Sequence, residues 1–267
     1  MRLKDKIAIV IGAGQSPGEG IGNGRATCLR FAQEGAKVLA VDNRLASAEE
    51  TVAMVRQNGG GTCAAFEADV TKEATLAAAM AEARRLWGRI DVLHYNVGLS
   101  LAGGDAPILE ITEDAFDRVS AINLRGCVMA VKHVLPIMRA QQSGVIITIS
   151  SLAAWEDYPY VAYKATKAAM IAFTQQVAIQ NAEYGIRANV ILPGLMNTPM
   201  AVDTRARRTG RPRAEIAAER DAKVPLRHRM GTAWDVANAA LFLASDEANF
   251  ITGAALPVDG GALVRIG

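Results

Sequence analysis

Short apolar runs alternate with longer helical patterns along almost the whole chain, and that alternation leaves few folds open to it. Runs of strand length separated by segments of helix length make βαβ units, and these build a parallel sheet covered on both faces. Ile7–Ile11 is the first apolar run; a glycine-rich stretch and a helical pattern from about Arg25 to Glu34 follow it. Further strands are expected at Val38–Val41, Thr62–Phe66, Ile90–His94, Val145–Ile149, Arg187–Leu192 and Ala255–Val258. Between them fall helices from about Ser47 to Gln57, closed by Asn58 to Gly61, and from a Thr71 cap to Trp87. A long helix capped by Thr112 must end or bend near Pro136, because proline cannot donate to the preceding turn. Helices over Tyr163–Tyr184 and Asp235–Ala244 complete the set. The expectation is an α/β protein, a doubly wound Rossmann-type parallel sheet of about seven strands forming one domain over residues 1–267.

Aromatic residues make up only 5% of the 267, so the core must be built mostly from Ala, Val, Ile and Leu. That suits closely packed helices on parallel strands. The net charge of +2 gives no strong pull toward nucleic acid or a membrane surface. No apolar stretch reads as long enough to span a bilayer, and the N-terminus lacks a leader pattern. Cys28, Cys63 and Cys127 are far apart, with no disulfide or metal spacing, which fits a reducing cytoplasm and no bound metal. Between Thr198 and Arg229 lie eight arginines and few large apolar residues, which predicts a substrate lid at about 195–230 outside the sheet. Those arginines admit an anionic substrate, although charge runs more often form solvated faces.

Strand, glycine loop, helix, strand, acid is the order a dinucleotide site requires. Gly12, Gly22, Asn23 and Gly24 fall where backbone must approach a pyrophosphate without a Cβ in the way, and the helix N-terminus offers free N–H groups. Asp42 ends the second strand. A carboxylate there binds ribose hydroxyls and repels a 2′-phosphate, which favours NAD over NADP; Arg44 is expected beside the adenine.

Tyr163 and Lys167 are four residues apart, so on a helix they share a face. Alone the pair describes an ordinary solvated surface. Beside a cationic cofactor ring, the ammonium favours the phenolate and would move the tyrosine from about pH 10 toward neutrality, a shift of roughly 4 kcal/mol. A nearby hydroxyl, Ser150 or Ser151, would hold a substrate oxygen.

These segments together resemble the short-chain dehydrogenase/reductase family, over nearly the whole chain. The resemblance rests on the glycine loop, Asp42, Asp69-Val70, Asn96-Val97-Gly98, Asn123, Ser150-Ser151, Tyr163 with Lys167, Pro193-Gly194 with Thr198, and Thr252-Gly253 through Gly261. It implies hydride transfer between NAD(H) and a secondary alcohol or ketone. Tyr163 would be the acid–base group, supported by Lys167, Asn123 and a serine. Asp69 and Val70 would contact adenine, and Asn96-Val97-Gly98 would pack by its ribose. Pro193, Gly194, Met196 and Thr198 would border the nicotinamide, while Lys167 holds its ribose. Asn123 would bend its helix and hold a water leading to Lys167. The family also implies a homotetramer. Two departures stand out. The glycine loop carries an extra segment, about Gln15 to Ile21, expected to form a flap over the pyrophosphate. Family spacing to the tyrosine selects Ser150, whereas strand phase selects Ser151, which is preferred because a one-residue slip flips a side chain to the other face. Other readings are an NADP(H)-preferring carbonyl reductase, a non-catalytic NAD sensor or scaffold, and a sugar-nucleotide epimerase, for which the chain offers no larger substrate domain.

Overall fold

The computed structural model describes residues 1–59 and 61–265; Gly60, expected to help close the second helix, lies outside them. The strands are β1 (Ile7–Ile11), β2 (Lys37–Asp42), β3 (Cys63–Glu67), β4 (Val92–Tyr95), β5 (Gly144–Ile149), β6 (Ile186–Pro193) and β7 (Ala255–Val258). They form one sheet in the order β3-β2-β1-β4-β5-β6-β7, with every pairing parallel. The helices are α1 (Asn23–Gln33), α2 (Leu45–Gln57), α3 (Glu73–Trp87), α4 (Glu113–Ser120), α5 (Gly126–Gln141), α6 (Val161–Asn181), α7 (Thr204–Thr209), α8 (Arg213–Asp221) and α9 (Ala233–Ala244).

The central strands are buried on both faces, which is why they read as unbroken apolar runs. Successive side chains of a strand point to opposite faces. Ala8 and Val10 accordingly join a core with Cys28, Phe31, Val236 and Leu241, beneath α1 and α9. Ile9 and Ile11 join the other, with Leu76, Met80, Cys127 and Val131, beneath α3 and α5. Pro257 is accommodated because β7 is an edge strand. Strand order reverses between β1 and β4, and beyond the carboxyl ends of such strands an open α/β sheet forms its crevice.

Three expectations are corrected. The chain does not leave the helix at Pro136, and α5 runs on to Gln141. Pro136 and Lys132 both lie on the exposed side, so water can satisfy the Lys132 carbonyl that the proline leaves without a donor. Thr71 does not cap α3; its hydroxyl donates to Asp69 Oδ1 at 2.7 Å instead, a local bond that competes with capping. Lastly, α4, a π-helical turn over Ala121–Arg125 and α5 merge into one run, 113–141, that by length and composition alone is apolar enough to cross a membrane. Its residues Cys127, Ala130, Val131, Val134 and Met138 belong to the core beneath the sheet.

Candidate active site

The crevice at the strand switch is a cavity of about 670 Å³. One end is lined by Gly12, Gly14, Gly22, Asn23, Gly24, Asp42 and Arg44; the other by Ser150, Ser151, Glu156, Tyr158, Tyr163 and Lys167. Asn96, Val97, Gly98, Pro193, Gly194, Met196 and Thr198 line the stretch between.

The glycine end is shaped by close approach. Gly12 has φ +83°, a conformation that side chains disfavour. A Cβ on Gly24 would lie 2.0 Å from the Gly12 carbonyl oxygen, which also accepts from Asn96 Nδ2 at 3.1 Å. The loop's extra residues are ordered by their own contacts: Gln15 Oε1 accepts from Gly22 N, and Gln15, Ser16 and Pro17 line the cavity. Asp42 accepts from Gly14 N at 2.9 Å and Arg44 N at 3.1 Å. The Arg44 guanidinium binds the Gln15 carbonyl and Ser47 Oγ, which accounts for it without a ligand. Asn23 Oδ1 is buried with no partner, at the start of α1 and on the cavity wall. Bare glycine backbone, a helix N-terminus and this orphaned acceptor fit a dinucleotide.

At the other end, Lys167 is buried, and its Nζ donates to the Ile149 carbonyl at 2.7 Å and the Val97 carbonyl at 3.4 Å. Burial lowers it to about 8. Tyr163 opens partly onto the cavity, yet lies deep enough that burial pushes its phenol up to about 12. The Ser151 hydroxyl acts against this by hydrogen bonding, as does the charge of Arg205. Lys167 Nζ stands 5.6 Å from the centre of the tyrosine ring, with its bonds directed at carbonyls. The expected fall of the tyrosine pKa is therefore not achieved by the protein's own groups, because desolvation outweighs them. The two serines separate cleanly. Ser150 Oγ is buried and donates to the Lys167 carbonyl at 2.6 Å, fixing the helix, whereas Ser151 lines the cavity near the phenol and its Oγ accepts from Ala153 N at 3.2 Å.

Not every expected residue reaches the cavity. Asn123 stands behind its wall, in the π-helical turn, where its amide brackets Leu99 N and O at 2.7 and 2.9 Å and donates to Thr166 Oγ1 at 3.1 Å. Asp69 and Val70 are off the lining; Asp69 is bonded to Thr71, and Val70 is packed in the core. Of the aromatic residues on the loop before Tyr163, Tyr158 lines the cavity and Trp155 and Tyr160 do not.

One residue escaped the sequence reading. Asp105 is fully buried and accepts from Ala162 N at 2.9 Å and Tyr163 N at 3.0 Å. It caps α6, which has no side-chain cap of its own, and so sets the backbone of Tyr163. No local signal marks it, because the capped turn lies 57 residues downstream.

A doubly wound parallel sheet with this crevice defines a protein of the dinucleotide-binding Rossmann class. The particular family follows from similarity. Residues 17–262 match the family model described as enoyl-(acyl carrier protein) reductase. A 2-(R)-hydroxypropyl-CoM dehydrogenase of Xanthobacter autotrophicus is 36% identical over 96% of this chain and 97% of its own. A Burkholderia xenovorans structure assigned to the short-chain dehydrogenases/reductases superposes with a TM-score of 0.92 at 40% identity, over 100% of this chain and 99% of that one. Levodione reductase does so with a TM-score of 0.92 at 31% identity, over 99% and 100%. The chain belongs to the short-chain dehydrogenase/reductase family of oxidoreductases, which use NAD or NADP.

Proposed function

We propose that this protein transfers hydride reversibly between NAD(H) and a secondary alcohol or ketone, with Tyr163 as general base in oxidation and general acid in reduction. The observation that carries the reading is one cavity joining Ser151, Tyr163 and Lys167 to the glycine loop and Asp42. Two relatives, by name a dehydrogenase and a reductase, support it. The nicotinamide supplies the hydride chemistry when bound. Ser151 hydrogen-bonds the substrate oxygen, and Tyr163 exchanges a proton with that same oxygen. Lys167 brings positive charge near the phenol below about pH 8, its own pKa, and binds the nicotinamide ribose. Asn123, through Leu99 and Thr166, ties the loop after β4 to α6 and keeps the wall behind these groups in place. Met196 and Thr198 meet the carboxamide, and Asn96-Val97-Gly98 packs by the adenosine ribose.

NAD is preferred over NADP in this reading, because the Asp42 carboxylate favours ribose hydroxyls and repels a 2′-phosphate. Arg44, engaged by Gln15 and Ser47, does not offset it. We also read the protein as a cytoplasmic homotetramer; exposed Ile179 and Phe250 supply apolar surface for subunit contact. Light scattering should give four times 28.3 kDa.

The test is Tyr163→Phe assayed against a panel of alcohols and ketones with NAD(H) and NADP(H) in parallel. Turnover should fall by about 10²- to 10⁴-fold, while NADH still quenches protein fluorescence on binding. Near-normal turnover in the variant would overturn the assignment.

A further inference from the structure

The eight arginines between Thr198 and Arg229 divide by what engages them. Arg207 donates to the Pro17 carbonyl and Arg208 to the Leu101 carbonyl. Arg211 pairs with Glu215 and Glu219, and Arg213 with Glu19 and Asp203. Arg205 and Arg220 are different. They alone of the eight line the cavity that holds Tyr163, and neither has an ion-pair partner among the described residues. One Arg205 nitrogen donates to the Ala201 carbonyl at 2.7 Å. The Arg220 guanidinium makes no hydrogen bond among the described residues, and its Nε is buried and orphaned.

Burial, joined by the opposing charge of Arg205, brings Arg220 down to about 10. The Arg205 charge also reaches the phenols of Tyr158 and Tyr163, which places it by the reacting end of the cavity. Glu156 is the carboxylate on the same wall, and burial raises its carboxyl; Asp221 acts on Arg220 from off the cavity lining. One lining carboxylate against two lining guanidiniums leaves an excess of positive charge at this partly dehydrated wall. A half-buried cation without an acceptor is costly, and a ligand that brings an anion removes that cost. Guanidinium forks also match carboxylate, sulfonate and phosphate geometry.

We infer that Arg205 and Arg220 form an anion subsite beside Tyr163, and that the natural substrate is a ketone or secondary alcohol carrying a carboxylate, sulfonate or phosphate group. This rests on the oxidoreductase reading above. Both arginines are specificity-determining residues that act on the substrate's charged end and leave proton transfer to Tyr163.

The experiment compares keto acids with their methyl esters, levulinate and acetoacetate serving as probes, in the NADH-dependent direction. In the native protein kcat/KM for the acid should exceed that for its ester by about 10- to 100-fold, the worth of a charge-assisted hydrogen bond. Arg220→Gln should remove most of that ratio by raising KM for the acid, with the ester's kcat/KM moving far less; Arg205→Gln should remove it too, but there the ester slows as well, because the Arg205 charge also acts on the Tyr163 phenol. A ratio near one in the native protein overturns the proposal, as does a ratio that survives both substitutions. Should no probe be reduced at all, calorimetric titration of the NADH complex with levulinate decides separately. Saturable binding lost in Arg220→Gln upholds the subsite, whereas absence of binding, or binding that survives the substitution, overturns it; the oxidoreductase reading is decided separately by the wider panel above.

Discussion

His94 lies in the middle of β4 with neither ring nitrogen hydrogen-bonded, and burial holds its pKa down to about 3. In the unfolded chain an imidazole takes up its proton near pH 6.5. The folded state therefore refuses a proton that the unfolded state accepts, and stability present above pH 6.5 is lost as the pH falls toward 3. Between pH 7 and 5 the loss from this residue should be about 2 kcal/mol. Urea unfolding at the two pH values, native against His94→Leu, isolates it from the carboxylates common to both; parallel losses would show that His94 is not the source. The apolar run Ile90–His94 told of a strand and not of an orphaned ring inside it. The Tyr163–Lys167 pair was legible for the opposite reason, since the two are one helical turn apart and their common face is a local matter. Ser151 was chosen over Ser150 by strand phase, and the bond from Ser150 Oγ to the Lys167 carbonyl supplies what sequence lacked, a separate structural task for the neighbouring serine.

The element that positions the chemistry is α6, and its first turn depends on a carboxylate from elsewhere. Asp105 satisfies two of the turn's free N–H groups and places negative charge at the positive end of the helix dipole. It also accepts from Ser100 Oγ, which in turn meets Tyr158 Oη at 3.3 Å. Asp105→Ala should cost about 1–2 kcal/mol of stability, the usual cost of a lost cap, and lower kcat because the Tyr163 backbone loses its anchor. Asp105→Asn keeps one acceptor oxygen but turns an NH2 toward the other N–H, so it should recover only part of each. Chemical denaturation with steady-state kinetics on the two variants checks this; an Asn variant as good as the native protein would mean that one acceptor suffices and the second carboxylate oxygen is dispensable. The helix before it shows the limit of reading elements from breakers. Proline is a known breaker, so an end or bend of the 113–141 run was expected near Pro136, while the family resemblance put a bend at Asn123. The helix continues through Pro136, and the irregularity lies at Ala121–Arg125, where Asn123 reaches the Leu99 backbone across the molecule. The proline is harmless on a hydrated face, while the asparagine's partner is tertiary and leaves no trace in its own neighbourhood.

At the scale of the whole molecule, the parallel sheet follows from alternation and length, and its switch point follows from the glycine loop standing after the first strand. The path of the lid does not follow, because π-helical and short helical segments over 199–221 lack the apolar periodicity that marks a packed element. What holds this segment, proposed as a lid, is a joint to the extended glycine loop. Asp203 accepts from Glu19 N at 3.1 Å and pairs with Arg213 at 3.3 Å, and Arg213 reaches Glu19 at 3.6 Å and Asn197 Oδ1 at 2.7 Å. A Cβ on Gly18 would lie 2.5 Å from the Asp203 carboxyl carbon, so the approach depends on glycine. Arg207 adds a bond to the Pro17 carbonyl. The residues inserted in the loop and the segment outside the sheet thus close over the cavity from opposite sides. Opening this joint should let cofactor leave sooner without touching Tyr163. Asp203→Ala removes a buried acceptor and one of Arg213's two ion-pair partners, so its effect should be about a 10-fold rise in the NADH dissociation rate, the size of one charged hydrogen bond. Stopped-flow displacement of NADH measures that rate, and a single turnover with bound NADH measures the chemical step, which should stay within about twofold if the lid only gates release. An unchanged dissociation rate would mean that loop and lid move independently despite their contacts, whereas a slowed chemical step would mean that the joint also holds Arg205 and its neighbours in place against the substrate.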